Sequence, residues 1–308
     1  MTKTTDTSNT LFAGIDLGGS KIEAILLDQD GEELLRTRCP TPANDYTGTL
    51  QAIEDLHGKL ESRAGRPLPL GIGTPGSPSP QTGLMRNANS TCLNGQPLLQ
   101  DLEKLLDRPV RIANDADCFT LSEAVDGAAS DAEIVFGVII GTGTGGGISI
   151  NGNLLQGPNA IAGEWGHNPL PWPASEETPG PPCYCGKHGC IETYLSGPGL
   201  ANEHLRRTKK TLTAPQIADL AAQGKTEAEA TLRIYEDRLA RGLASIINVL
   251  DPHAIVLGGG LSQLQRLYGN VSRQWQQYVF SDTFRTQLLP PHFGDSSGVR
   301  GAAWLWRD

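Results

Sequence analysis

Three glycine-rich turns constrain this chain more than any other feature, because each of them follows a short apolar run. The runs are 11–17, 134–140 and 255–257, and the turns after them are 18–21, 141–147 and 258–260. Glycine lets backbone N–H groups surround a phosphate with no Cβ in the way. A single turn of this kind is more typical of a tight hairpin, but three together favour a nucleotide phosphate clamp.

Two familiar phosphate motifs do not fit these turns. Gly141, Gly143 and Gly146 match G-x-G-x-x-G, but a dinucleotide site needs a helix next, whereas residues 147–152 predict strand and turn. The first turn has P-loop glycine spacing, but its Ser-Lys order is reversed and a strand follows. The remaining interpretation is a clamp made from hairpin turns of two lobes, in which Asp16 holds Mg²⁺ through water.

The hydrophobic patterns predict an α/β fold. In the first lobe the predicted order is strands at 11–17, 22–27 and 32–38, a helix around 50–60, a strand at 69–72, a helix at 98–105 and a strand at 110–112. In the second lobe we predict a helix at 115–128, strands at 134–140 and 148–150, a helix at 232–250 and a strand at 255–257. A long insert rich in Gly, Pro and Cys separates the strand at 148–150 from the helix at 232–250.

Length and charge limit the partners. The 308 residues are enough for about two lobes. The 25 basic and 34 acidic side chains give a net charge of −9, which argues against nucleic acid and anionic membrane surfaces as partners. No apolar run reaches the ~18 residues of a membrane span, and the polar first ten residues do not resemble a signal peptide. We therefore expect a cytoplasmic protein.

Three of the six cysteines, Cys183, Cys185 and Cys190, lie close together in the sequence. With His167 sixteen positions before Cys183, they supply three thiolates and one imidazole, the composition of a closed, structural Zn²⁺ site. His188, inside the same loop, is an alternative fourth ligand. Free thiols or a disulfide are the competing interpretations, and both explain the spacing less well.

Asp115 lies at the end of a short predicted strand and at the start of a helix, in Ala-Asn-Asp-Ala. An aspartate there can serve as a helix N-cap. It can also serve as the general base that accepts a proton from a hydroxyl nucleophile. The residues alone do not separate these two roles.

The motifs taken together resemble the ROK sugar kinases of the actin/hexokinase superfamily. They run over nearly the whole chain from residue 11: GIDLGGSK, GIGTPG, NANST, ANDAD, GTGTGGG, GEWGHNPLPW, CYCGKHGCIET, VLGGG and GDSSGVRGAAWLW. The resemblance implies two lobes of the actin/hexokinase (RNase H-like) type with the active site in the cleft between them. It implies a disordered tail at 1–10, a small lobe of 11–116 plus about 293–308, and a larger lobe of 117–292 with a zinc-binding loop at 167–190.

GEWGHNPLPW and NSTCLNGQP look most like the bacterial fructokinase/mannokinase branch. The resemblance therefore implies ATP-dependent phosphorylation of a free hexose at its 6-hydroxyl, with D-fructose as the first expectation and D-mannose second. Glucose or an N-acetylhexosamine is the alternative within the family. Selectivity among such sugars depends on a few hydroxyl contacts in loops.

The resemblance also implies roles for individual residues. It makes Asp115 the general base and favours His167 over His188 as the zinc ligand. The implied sugar-binding residues are Gly76, Asn89, Asn114, Glu164, His167 and Glu192. The implied ATP-binding residues are Asp16, Gly18, Gly19, Ser20, Lys21, Thr142, Gly143, Thr144, Gly258 and Gly259. Relatives suggest a homodimer.

Two departures from the family pattern affect detail. Ser20 stands where Thr is more usual, and the Pro/Glu-rich insert at 173–182 is longer than in many members. Two other functions compete with the kinase. A sugar-sensing transcriptional regulator of the same family would carry a DNA-binding domain before the first strand, for which we expect no room. An actin-like ATPase would have no use for the His/Cys loop or for Glu164.

Overall fold

The computed structural model describes residues 10–88 and 90–307, which fold into two compact units. Unit 1 comprises Met1–Gly127, Gln156–Ile161 and Asp295–Asp308, and unit 2 comprises Ala128–Leu155 and Ala162–Gly294. Of the expected tail at 1–10, only Thr10 lies within the described residues.

The elements of unit 1 up to residue 127 are β1 (Leu11–Leu17), β2 (Lys21–Asp28), β3 (Glu33–Pro40), α1 (Tyr46–Ala64), β4 (Leu70–Thr74), β5 (Ser77–Pro78), β6 (Met85–Arg86), α2 (Leu98–Leu106), β7 (Val110–Asn114) and α3 (Asp115–Val125). Those of unit 2 are β8 (Ile134–Ile140), β9 (Thr144–Ile150), β10 (Asn153–Leu154), α4 (Glu192–Leu195), α5 (Gly197–Thr208), α6 (Ala214–Ala222), α7 (Thr226–Leu250), β11 (Ala254–Gly258), α8 (Arg266–Gln274) and β12 (Gln287–Leu289). The chain returns to unit 1 in α9 (Ser297–Trp304).

The sheet of unit 1 has the order β3-β2-β1-β4-β7. The first three strands are antiparallel neighbours, whereas β1, β4 and β7 run parallel, so the carboxyl ends of these three strands meet at one edge. Asp16 pairs with Gly73, and the next row pairs Thr74 with Asn114. The sheet therefore brings Asp16 and the start of α3 to the same edge.

Helix α9 lies directly on this sheet because two strand positions lack a side chain. A Cβ on Gly14 would lie 2.4 Å from Ala303 N, and one on Gly71 would lie 1.8 Å from Ala302 O. Helix α9 also packs against α3, where a Cβ on Gly301 would lie 1.7 Å from Cys118 O. This packing is consistent with the position of all of α3 in unit 1, whose first segment ends at Gly127.

The sheet of unit 2 has the order β10-β9-β8-β11-β12, with β8, β11 and β12 parallel. The second glycine segment differs from its prediction as a loop through residue 147. Strand β9 begins at Thr144, so three of its glycines pair with β8. A Cβ on Gly146 would lie 2.9 Å from Trp165 Cδ1 and 3.0 Å from Gly163 O, because the loop at 163–165 lies flat on this part of the sheet.

Helices α5, α6 and α8 were not predicted from the sequence. They pack with the predicted long helix α7 into one apolar core with Trp165, Leu195, Tyr235 and Leu257. Within residues 10–88 and 90–307, no helix combines the length and the apolar character needed to cross a bilayer.

Candidate active site

Asp16 of unit 1 is a half-buried carboxylate beside other carboxylates. Its pKa is raised to about 6, first by burial and then by the negative charges of Asp115 and Glu23. A Cβ on Gly73 would lie 3.6 Å from Asp16 Oδ1, and one on Gly298 would lie 3.3 Å from Oδ2. The carboxylate of Asp16 therefore lies between two positions without side chains, in a region of concentrated negative charge.

Asn114 is the N-cap of α3, and Asp115 is its first helical residue. Asn114 has an extended backbone, and its Oδ1 accepts the Ala116 N–H at 2.9 Å. The same N–H lies 2.8 Å from Asp115 Oδ1, but the Asp115 side chain is exposed. The cap role that competed for Asp115 is thus filled by its neighbour.

The Gly76 carbonyl lies beside Asn114, which brings two predicted sugar-binding residues together. Asn114 Nδ2 donates to Gly76 O at 3.4 Å, and Thr74 Oγ1 donates to the same oxygen at 3.3 Å. Gly76 has a φ of 73°, and a Cβ there would lie 2.2 Å from Arg86 O, so only glycine fits.

Asn89, the remaining sugar-binding prediction in this part of the chain, lies outside the described residues. The residue before it, Ala88, is held by Asn94. Asn94 Oδ1 accepts the Ala88 N–H at 2.9 Å, and Asn94 Nδ2 donates to Ala88 O at 3.0 Å. No role was predicted for Asn94, although Asn-Gly at 94–95 is a typical turn signal.

The first glycine turn joins β1 to β2 and exposes Gly19 and Ser20. Gly18 donates its N–H to Lys21 O at 3.0 Å, so this amide closes the hairpin. Thr41 braces the turn, with Oγ1 donating to Gly18 O at 2.7 Å and N donating to Ser20 O at 3.1 Å. Thr41 was missed because nothing local in the sequence connects it to residues 18–20.

Lys21 does not extend freely from this turn. Its Nζ lies 2.9 Å from Glu23 Oε2, and Arg36 binds the other oxygen of the same carboxylate. Glu23 is buried, and although burial acts to raise its pKa, hydrogen bonds from Lys21 and Arg36 lower it overall. The structure thus gives Lys21 a charge partner within its own strand.

In unit 2, a predicted sugar-binding carboxylate touches the second glycine turn. Glu192, at the start of α4, accepts the Thr144 N–H on Oε2 at 2.9 Å. A Cβ on Gly143 would lie 2.8 Å from the same oxygen. The amide of Thr144 is therefore occupied by Glu192, and the exposed tip of the turn is at Thr142.

The third glycine turn follows β11, which lies beside β8 in the sheet, so the second and third turns begin at neighbouring strand ends. Gly259 has a φ of 78°, and a Cβ there would lie 2.6 Å from Ile140 O, which only glycine avoids. Parallel strands of α/β sheets bind ligands at their carboxyl ends.

A cavity of about 750 Å³ opens beside these two turns. Its lining is mostly apolar and comes from the second turn, α5, α6 and the segment after the third turn. Residues representative of these walls are Thr142, Pro198, Ala214, Asp219 and Leu261. Such a volume suits a nucleoside-sized ligand. The part of the lining that comes from α5 and α6 was not predicted, because neither helix carries a recognisable motif.

The four predicted zinc ligands meet in one cluster. One donor atom from each of His167, Cys183, Cys185 and Cys190 lies within 4.8 Å of the others. His167 Nδ1 is 3.6 Å from Cys183 Sγ, and Cys185 Sγ is 3.6 Å from Cys190 Sγ. Thiolates at about 2.3 Å from a tetrahedral zinc ion stand roughly 3.7 Å apart, so the donor set fits Zn²⁺. His188 is not a member of the cluster that the described residues form.

Trp165 fixes the segment that carries Glu164 and His167. It is buried, its Nε1 donates to Gly145 O at 3.0 Å, and its ring meets Phe136 edge to face at 5.8 Å. Glu164 is exposed beside it.

Tyr184 lies between two of the cysteines and was not predicted as a site residue. Its pKa is raised to about 12, first by desolvation of the hydroxyl beside His167, although the side chain as a whole is exposed, and then by the charges of Glu192, Cys183 and Glu164. Its hydroxyl lies 2.9 Å from His167 Nε2. Glu164, His167 and Glu192, three of the sugar-binding predictions, are therefore gathered around one loop of unit 2.

The Pro/Glu-rich insert at 173–182 is held by a buried ionic network. Glu177 accepts from Arg238 Nε at 2.7 Å and from Arg241 Nη1 at 2.8 Å, and Arg238 also binds Glu203 at 3.1 Å. Burial would raise the pKa of Glu177, but hydrogen bonds from Arg241 and Arg238 lower it to about 2. This network attaches the segment preceding Cys183 to helix α7.

The sequence model of the ROK family matches residues 12–308, and the chain belongs to that family. Its similar curated relatives include N-acetyl-D-glucosamine kinases. The one from Yersinia pseudotuberculosis serotype O:3 (strain YPIII) is 39% identical over 299 residues, which cover 96% of this chain and 98% of the relative. The one from Escherichia coli O139:H28 (strain E24377A / ETEC) is 38% identical over 299 residues, covering 96% and 99%.

Solved structures show the same fold. The ROK hexokinase from Thermus thermophilus superposes with a TM-score of 0.86 at 28% identity, covering 96% of this chain and 97% of that one. A ROK family glucokinase from Streptomyces griseus in complex with glucose and AMPPNP superposes with a TM-score of 0.75 at 27% identity, covering 96% and 99%. The predicted family and α/β fold class are confirmed, and the chain is a ROK sugar kinase.

The expected fructokinase/mannokinase branch is not supported by these relatives. The curated proteins carry the name of the alternative, an N-acetylhexosamine kinase. GEWGHNPLPW and NSTCLNGQP therefore do not distinguish the two branches. Sugar choice depends on a few individual contacts in loops, and matches to these segments do not resolve such contacts.

Proposed function

We propose that the protein catalyses ATP-dependent phosphorylation of an N-acetylated hexosamine, N-acetyl-D-glucosamine first, at the 6-hydroxyl. The observation that carries this proposal is full-length similarity to N-acetyl-D-glucosamine kinases, at 39% identity over 96% of the chain. The exposed Asp115 carboxylate and the cluster of Glu164, His167 and Glu192 support it with the groups that the chemistry needs.

In this proposal Asp115 is the general base. Its carboxylate accepts the proton of the sugar 6-hydroxyl as the oxygen attacks the γ-phosphorus, and the bond from that phosphorus to the ADP oxygen breaks. We assign hydrogen bonds with sugar hydroxyls to Asn114, the Gly76 carbonyl, Glu164, His167 and Glu192. The role of Asn89 stays a prediction.

The glycine turns supply nucleotide binding. We assign phosphate contacts to residues at the tips of the turns, which are Gly19, Ser20, Thr142, Gly143 and Gly259. The adenosine occupies the apolar cavity. Gly18, Lys21 and Thr144 shape the turns, since a donor group of each already has a protein partner. Gly258 ends β11 and directs the chain into the third turn.

Two metals complete the proposal. Asp16 would hold Mg²⁺ through water, because the charge of Asp115 acts on its half-buried carboxylate and a divalent cation would offset their repulsion. When bound, Mg²⁺ neutralises phosphate charge. His167, Cys183, Cys185 and Cys190 would hold a structural Zn²⁺ that fixes the loop preceding Glu192.

A coupled assay of ADP release over a sugar panel tests this proposal. We expect kcat/KM for N-acetyl-D-glucosamine to exceed that for D-glucose, D-mannose and D-fructose by about tenfold or more, the usual worth of a few specific contacts. Preference for D-fructose would restore the first expectation from the sequence. Sugar binding without any phosphorylation would favour a sugar-sensing regulator.

A further inference from the structure

We propose that Tyr184 is a further sugar-contacting residue, whose hydroxyl donates a hydrogen bond to a substrate hydroxyl. This inference rests on the proposed function and adds a contact beside the one proposed for His167. Tyr184 is 81% exposed, yet its hydroxyl is 2.9 Å from His167 Nε2. Its ring meets the imidazole edge to face, with centroids 5.1 Å apart and planes at 88°.

The orientation of His167 determines the direction of this hydrogen bond. Nδ1 faces the thiol cluster, 3.6 Å from Cys183 Sγ. An imidazole that presents the Nδ1 lone pair to a metal carries its proton on Nε2. That proton is then donated to the Tyr184 oxygen, which leaves the phenolic O–H of Tyr184 available. A sugar hydroxyl that approaches His167 Nε2 therefore meets the Tyr184 hydroxyl beside it.

The backbone around Tyr184 is fixed, so the hydroxyl is not placed by a loose chain end. Cys183 donates its N–H to Lys187 O at 2.8 Å, and Gly186 donates to Cys183 O at 3.0 Å, closing a tight loop. The charges of Glu192 and Glu164 both act on the Tyr184 hydroxyl. A ligand rich in hydroxyl groups that binds these two carboxylates therefore comes within reach of this third polar group.

The substitution Tyr184→Phe removes the hydroxyl and keeps the ring. We expect the Kd and KM for N-acetyl-D-glucosamine to rise about fivefold, the value of one neutral hydrogen bond, with the KM for ATP and the zinc content unchanged. Calorimetric titration gives the Kd, and atomic absorption gives the zinc content. Tyr46→Phe is the matched control, because the Tyr46 hydroxyl binds Asp101 at 2.7 Å between α1 and α2. It should leave the sugar Kd unchanged.

Monodeoxy analogues of the sugar separate a contact from a structural effect. If Tyr184 donates to one hydroxyl, the fivefold penalty of Tyr184→Phe disappears for the one analogue that lacks that hydroxyl. An equal penalty for every analogue, or an unchanged or lower sugar Kd in Tyr184→Phe, overturns the assignment while the kinase proposal stands. A wild-type protein that binds none of the hexoses overturns both.

Discussion

The strongest prediction about stability concerns Glu177, the carboxylate at the centre of the buried network. We expect Glu177→Gln to destabilise unit 2, because the neutral amide leaves Arg238 and Arg241 without their shared countercharge. Glu177 and both arginines are nearly inaccessible, with side-chain exposures of 5%, 4% and 5%. Water cannot replace the lost interaction at such a depth.

The pKa shift of Glu177 and the known cost of breaking a buried ion pair give a similar loss in the free energy of unfolding. The pKa of Glu177 is lowered from 4.5 to about 2, which at about 1.4 kcal/mol per pKa unit corresponds to about 3 kcal/mol at neutral pH. Removal of one partner from a buried ion pair costs about 3 to 5 kcal/mol in other proteins. For a unit of this size, about 3 kcal/mol lowers the Tm by roughly 6 to 12 °C.

The pH dependence isolates this carboxylate. The folded-state pKa of Glu177 lies below the unfolded value of 4.5. The stabilisation of the folded state by the ionised carboxylate is therefore fully present above pH 4.5 and is lost as the pH falls towards 2. The difference in Tm between the wild type and Glu177→Gln should therefore be largest near neutral pH and shrink between pH 4.5 and 2. Differential scanning calorimetry measures both proteins over this range.

Glu227→Gln is the matched control. Glu227 pairs with Lys210 at 2.6 Å, a shorter distance than any in the Glu177 network, but the two side chains are 55% and 60% exposed. An exposed pair of this kind contributes little, so its loss should leave the Tm unchanged. The reasoning is refuted if Glu177→Gln lowers the Tm by less than about 2 °C, or if its effect is the same at pH 7 and at pH 2.5.

Three further predictions concern the proposed kinase. Asp115→Asn should lower kcat by about 10²-fold or more, the usual worth of a general base, while ATP binding by titration is retained; wild-type turnover would contradict the assignment. Cys185→Ser should reduce the zinc content below one per chain and raise the sugar KM more than the ATP KM, because the loop before Glu192 loses a metal ligand. A zinc-free protein with an unchanged sugar KM would show that the cysteines do not contribute to sugar binding. Gly259→Ala should raise the ATP KM in the same assay, because a Cβ would lie 2.6 Å from Ile140 O, and an unchanged ATP KM would remove the third turn from the nucleotide site.

The elements that the sequence predicts well are those with a regular hydrophobic pattern. Strands β1 and β8 have the predicted bounds, because each is a mainly apolar run that is followed by a glycine. Strand β9 was shortened to its last three residues, since glycine counts against a strand. Gly146 in this strand is required by the close approach of Trp165 and Gly163, which belong to the loop at 163–165. Helices α5 and α6 were missed because capping and tertiary packing, rather than a long stripe, define them.

In the candidate site too, features with a local sequence pattern could be predicted and long-range contacts could not. The cluster of His167 with three cysteines was predictable, because metal ligands have characteristic types and spacings. The bracing of the first turn by Thr41 and the clamp that Asn94 forms on Ala88 were not predictable, because each joins segments with no shared local pattern. Substrate preference was the least predictable property, since it depends on a few loop contacts whose geometry the branch motifs do not specify.

Glu192 joins two parts of unit 2 that the sequence presents as separate motifs. Its Oε2 accepts the Thr144 N–H at 2.9 Å, across 48 positions of chain, and it can approach so closely only because residue 143 is glycine. A carboxylate that accepts a backbone N–H forms a strong, charge-assisted hydrogen bond. The same carboxylate is proposed to bind the sugar, and the same turn is proposed to bind phosphate. A shift of Glu192 on sugar binding would therefore be transmitted directly to Gly143 and Thr142, which gives the sugar a physical route to adjust the nucleotide turn.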